Sequence, residues 1–158
     1  MKTLTAIAIT TGILSGVWGW VAVSLGLLSW AGFLGCTTYF ASPVEGIKGV
    51  ALSIATNLSG VFWAMLILIL SAKVDIEIIG YVFTGVVAFL MCAQATKRWL
   101  SFIPGTFIGA CATFASDGNW KLVIPSLILG VLFAYAMKAS GSWLKAKLDV
   151  GKKLNSVF

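Results

Sequence analysis

Apolar residues run along this chain in blocks too long for the elements of a soluble domain. From Thr3 to Val44 there are 42 residues without a charge. As one helix rising about 1.5 Å per residue, that block would be about 63 Å long, roughly twice a bilayer core of about 30 Å. It therefore folds back on itself, and the turn is expected near residues 26–29. The pattern predicts apolar segments at residues 4–25, 30–42, 49–72, 78–96, 99–116 and 122–137, separated by short polar or charged stretches. Backbone polar groups in lipid must be satisfied within the segment, and no alternating ten-residue strand pattern is visible, so the segments are expected to be helices.

Composition agrees with that pattern. The chain is 59% hydrophobic and 10% charged, with a mean hydropathy of +1.01, whereas soluble domains carry about 25% charged residues. So few charges could not cover a core with a wettable surface. The N-terminal stretch MKTLTAIAITTGILSG imitates a secretory signal, but the residues after it are equally apolar, so it reads as the first span.

Charge sets the orientation. With six spans, Lys2, Lys48, Lys97, Arg98, Lys138, Lys145, Lys147, Lys152 and Lys153 fall on one side, and only Lys73 and Lys121 on the other. The positive-inside rule then puts both termini in the cytoplasm. The net charge of +6 thus lies mainly in loops and tail, and no nucleic-acid platform is seen. Trp99, Trp120 and Trp143 stand at segment ends as interfacial anchors, while Trp18, Trp20 and Trp63 are expected to fill space between helices.

The chain also divides into halves. FLGCTTYFAS at residues 33–42 returns as FIGACATFAS at residues 107–116, identical at five of ten positions and displaced by 74. LSGVFWA at residues 58–64 returns as ILGVLFA at residues 128–134, displaced by 70, and Thr11-Gly12 as Thr84-Gly85, displaced by 73. The expected organisation is residues 1–74 and 75–141 as two three-segment repeats, followed by a basic cytoplasmic tail at 142–158. Three spans per repeat make the repeats inverted, an arrangement that places a substrate path at the repeat interface. The second and fifth segments are short or broken, with Pro104 and Gly105 as the expected helix break.

Available chemistry narrows the function. There is no His and no CxxC, so no metal, cofactor or catalytic residue is expected, and the chain is not expected to be an enzyme. Cys36, Cys92 and Cys111 lie in apolar segments and read as small packing residues. No ionisable residue is expected at mid-membrane, which argues against ion pumping or proton coupling. Hydroxyls and amides remain. Thr37, Thr38, Asn57, Thr106 and Thr113, with Gly35 and Gly109, are the candidate lining of a passage for a small neutral solute. The other reading of the same residues is interhelical hydrogen bonding and close helix packing.

The stretches WAGFLGCTTYFASP (residues 30–43) and FIPGTFIGACATFAS (residues 102–116) resemble a bacterial inner-membrane family of unknown function typified by the YcdZ protein, and the likeness runs over nearly the whole chain. That resemblance implies a bacterial inner (cytoplasmic) membrane location and supplies no substrate. At fold level the arrangement looks like that of urea transporters, formate channels and aquaporins, although the Asn-Pro-Ala pair of aquaporins is absent. The expectation is an all-α polytopic membrane protein of six transmembrane segments acting as a passive channel or facilitator for a urea-like, amide-like or gaseous solute. A non-transporting scaffold or subunit, or a secondary transporter, remains the alternative. Expected partners are the bilayer, a second copy of the chain, and anionic lipid headgroups through Lys145, Lys147, Lys152 and Lys153. A solvated tail interrupted at Gly151 is the other reading of those lysines.

Overall fold

The computed structural model describes residues 3–73 and 77–155. Among them are six α-helices and no strand: α1 (Thr3–Ser24), α2 (Ser29–Ala41), α3 (Gly46–Ser71), α4 (Glu77–Ala93), α5 (Ile103–Ala115) and α6 (Trp120–Asn155), with two short 3-10 turns between α4 and α5. The boundary expected between the halves, at residues 74–75, lies outside the described residues.

Three of these helices, α1, α3 and α6, are long and apolar enough to cross a membrane. At 13 residues each, α2 and α5 reach about 20 Å, short of a full crossing. Pro104 occupies the first turn of α5, where a missing N–H costs no intrahelical bond. The expected break at Pro104-Gly105 is therefore the start of a helix, not an interruption within one. The sixth segment also differs from expectation. Instead of ending near Met137, α6 runs for 36 residues in all, from Trp120 through Gly151 to Asn155, so the tail as far as Asn155 is an extension of the last helix.

Turn chemistry explains two helix ends. After α1, Gly26 takes a φ of +64°. Its N–H donates to Val23 O, and the Leu27 N–H donates to Ala22 O at 2.8 Å, the paired bonds of a glycine-terminated helix. After α5 the same pair forms from Asp117 to Phe114 O and from Gly118 to Thr113 O.

Helix α3 sits centrally, against α2, α4, α5 and α6, while α1 lies outside on α6. Trp18 is fully buried, its indole N–H donating to Ser29 O at 3.0 Å and its ring meeting Phe133 edge-on. Trp20, expected to fill space between helices, is 72% exposed and faces outward. At the end where the α2–α3 loop meets α6, Lys138 Nζ lies 3.6 Å from Glu45 Oε1 and over the Tyr39 ring.

The two most extensive pairings are α2 with α6 and α3 with α5, and both are glycine crossings. A Cβ on Gly35 would run into the carbonyl oxygen of Leu127, and one on Gly130 into that of Gly32. A Cβ on Gly109 would run into the carbonyl oxygen of Asn57, and one on Gly60 into that of Thr106. These contacts correspond residue for residue. Gly35 and Gly32 stand 74 positions before Gly109 and Thr106, and Gly60 and Asn57 stand 70 before Gly130 and Leu127. The cores beside the crossings correspond as well. Cys36, Ala134 and Met137, with Leu14 packed on them, match Ala110, Ala64 and Ile67 with Val87 at the same displacements of 74, 70 and 73.

Candidate functional site

Where α2, α3 and α5 meet, five polar side chains are shut away from solvent: Thr38, Ser53, Thr56, Asn57 and Thr106. Their placement follows from helical spacing. Ser53 and Asn57 are four apart, so they share one face of α3, and Thr56 stands beside them. Asn57 lies about 16 Å along α3 from Gly46 at the usual rise. Thr38 enters from the last turn of α2 and Thr106 from the first turn of α5. Gly105 makes room for them, because a Cβ there would meet Thr56 Oγ1 and Thr38 Cγ2.

Hydrogen bonding within this group is incomplete. Thr56 donates to its own helix at Leu52 O, 2.9 Å away, as helical threonines do. Thr38 Oγ1 stands 3.0 Å from both Leu34 O and Asn57 Oδ1, and its single hydrogen serves one of them. Ser53 Oγ and Asn57 Nδ2 have no partner. Exchanging the Asn57 oxygen and nitrogen would only move the unpaired end from the NH₂ to the carbonyl. In either orientation one polar end of Asn57 is unsatisfied. The buried side chains of the site are all neutral and suited to hydrogen-bonding an uncharged amide, hydroxyl or carbonyl.

A second polar group adjoins the first. Gln94 Oε1 accepts from Ser59 Oγ at 2.7 Å and Trp63 Nε1 at 2.9 Å, and Gln94 Nε2 donates to Thr106 Oγ1 at 3.3 Å. A chain of hydrogen-bonding groups thus runs from the surface of α3 to the buried cluster.

The candidate lining residues separate into two sets. Thr38, Asn57 and Thr106 are brought together. Thr113 is buried two turns along α5, its hydroxyl donating to Gly109 O at 2.9 Å. Thr37 points outward and donates to Phe33 O. Gly35 and Gly109 are occupied by the helix crossings. Ser53 joins the site through its four-residue spacing from Asn57, whereas only the fold around α3 brings in Gln94, with Ser59 as its partner. No group of three metal-ligating side chains occurs among the described residues.

Cysteine placement provides a check. Cys36 is buried, its thiol donating to Gly130 O, whereas Cys92 and Cys111 are exposed and are not the packing residues expected. In mild detergent N-ethylmaleimide should label Cys92 and Cys111 and spare Cys36 until the protein is unfolded in SDS. Mass spectrometry of the labelled peptides reads the outcome.

The family model described as "Protein of unknown function (DUF1097)" matches residues 8–142. The chain is 70% identical over 148 residues to the inner membrane protein YcdZ of Escherichia coli (strain K12), covering 93% of this chain and 91% of that protein. It is 64% identical over 150 residues to the protein of the same name from Salmonella typhimurium, covering 94% of each. An uncharacterized protein of E. coli, YahC, is 32% identical over 146 residues, 82% of this chain and 86% of that one. No solved structure gives a significant match. With its glycine crossings and the whole buried cluster inside the matched region, the chain belongs to the DUF1097 family of proteins of unknown function.

Proposed function

We propose that this protein is a passive facilitator for a small neutral solute in the bacterial inner membrane, with the Asn57 cluster as the point where the solute is held. The proposal includes a topology: two inverted three-helix repeats, α1–α3 and α4–α6, with both termini in the cytoplasm. The reciprocal glycine contacts support the repeat, and the distribution of Lys and Arg supports the orientation.

One observation carries the functional reading. The two crossings correspond, yet only one is polar. At the positions matching Thr38, Ser53, Thr56, Asn57 and Thr106 stand Ala112, Val123, Ser126, Leu127 and Gly32. The fold thus builds the equivalent crossing with a single hydroxyl and no amide, so packing alone does not call for Asn57. Energetics point the same way. An interhelical hydrogen bond in a membrane contributes about 0.6 kcal/mol, while a buried unsatisfied polar group costs about 1–3 kcal/mol. A purely structural Asn57 would be a net loss. A solute accepting from or donating to its free end, and to Ser53, removes that cost while bound and restores it on leaving. A weak, neutral site of this kind lets solute enter and leave without a coupling ion.

A non-transporting scaffold is the second reading, favoured by the glycine crossings, which close the helices backbone to backbone. Flux separates the two. Proteoliposomes should take up at least one of urea, formamide, acetamide and glycerol faster than empty liposomes, with no gain for formate or acetate. Uptake equal to that of empty liposomes for all of them would favour the scaffold.

A further inference from the structure

On the outer face of α3 two grooves adjoin, sharing Ala51, Ala55 and Trp99 in their walls. The first, of about 660 Å³, is apolar along Ile54, Leu58 and Phe62, and its only non-aromatic polar lining is Ser59 and Gln94. The second, of about 710 Å³, carries Lys48 and Arg98 with Ser101 and no carboxylate. Together they form one elongated trough, greasy at one end and cationic at the other, with an exposed tryptophan between. Its volume far exceeds that of the solutes considered above.

The two halves differ beside this face of α3. Phe133 stands 70 positions after Trp63, and Trp18 of α1 covers it. The counterpart of Trp18, 73 positions on, is the smaller Met91 of α4, which is buried in the core. Helix α4 ends at Ala93, four residues short of the position matching the end of α1, and Phe62 on this face is 61% exposed. The chain that would complete a cover gives way to the short turns bearing Lys97, Arg98 and Trp99. The occupant must therefore bring an apolar length for the open face and a negative charge for its basic end.

We propose that this trough is a binding site for one anionic phospholipid, with an acyl chain along Ala51, Ala55, Leu58 and Phe62 and the phosphate at Lys48 and Arg98. Tryptophan at the boundary between the two zones matches the headgroup level of a bilayer. Charge disfavours a second copy of the chain as occupant, since a two-fold contact here would set Lys48 and Arg98 against their own equivalents. The site is separate from Lys145 and Lys147 of α6 and shares Ser59 and Gln94 with the hydrogen-bonding chain that reaches Thr106.

Native mass spectrometry of the purified protein in detergent, with phosphatidylglycerol or phosphatidylcholine of identical acyl chains, tests the proposal. One phosphatidylglycerol should be retained about thirtyfold more strongly than phosphatidylcholine, as two cations near a membrane surface imply. Lys48→Gln combined with Arg98→Gln should reduce the preference to about onefold. Ala55→Trp, which fills the trough, should release both lipids, and Lys145→Gln with Lys147→Gln should leave the preference intact. The proposal is overturned if wild type shows no preference, if the Lys48/Arg98 variant keeps it, or if only the tail variant loses it. It is equally overturned if a dimer is recovered that Ala55→Trp abolishes, which would make the trough a contact between copies.

Discussion

Gly109→Val should lower the stability of the fold sharply. The new side chain would enter where the Asn57 carbonyl already lies against α5, and neither partner can yield, since both are backbone of helices buried at the centre. Overpacking of a tight core typically costs about 1–3 kcal/mol and occasionally more. Against backbone the upper end applies, and with native stabilities of only about 5–15 kcal/mol that is a large share. Gly60→Val attacks the same crossing from the other helix and should behave alike. Gly12, Gly16 and Gly19 of α1 are the contrast, because a Cβ there meets nothing within 4 Å. Gly16→Ala should be neutral, or more stable by about 0.5–1 kcal/mol from helix propensity. Thermal unfolding followed by size-exclusion chromatography in detergent distinguishes these outcomes. A Gly109→Val protein as stable as wild type would remove the basis for the α3–α5 crossing.

Asn57→Ala should have the opposite profile, with the fold kept and function lost. The substitution removes the Thr38–Asn57 contact, yet Thr38 retains Leu34 O as a partner. It also deletes the unsatisfied polar end, which offsets the cavity left by the shortened side chain. The expected change in stability is within about 1 kcal/mol, because the lost contact contributes about 0.6 kcal/mol and the relieved group costs about 1–3 kcal/mol. Solute flux should fall by at least about tenfold, the equivalent of losing one good hydrogen bond to the permeant of about 1.4 kcal/mol. Thr37→Ala, which alters an outward-facing hydroxyl, should change neither quantity.

Much of this arrangement is legible in the chain itself. The repeated phrases FLGCTTYFAS and FIGACATFAS mark α2 and α5, whose ends are both displaced by 74 residues, and Gly60 and Gly130 mark the helices they cross. Other features depend on distance in space. Pro104 reads as a break because proline within an apolar run commonly is one; its position in the first turn follows from Lys97–Phe102 forming turns and not helix. Trp18 and Trp20 are equivalent in a hydropathy profile, and only the side of α1 that meets α6 separates them. Gly151 does not stop α6, since one glycine costs a helix about 1 kcal/mol. The side chains of Lys152 and Lys153 lie outside the described residues. The isolation of Asn57 is likewise invisible in sequence, because the amide gives no sign of whether its partners are complete.

The central claim is that the Asn57 cluster holds a permeating neutral solute. Stopped-flow light scattering of proteoliposomes tests it most directly, with wild type and Asn57→Ala reconstituted at equal protein density and challenged with urea, formamide, acetamide and glycerol. The account predicts that wild type passes at least one of them faster than empty liposomes and that Asn57→Ala returns to the liposome baseline. Asn57→Ala passing that solute as fast as wild type would contradict it.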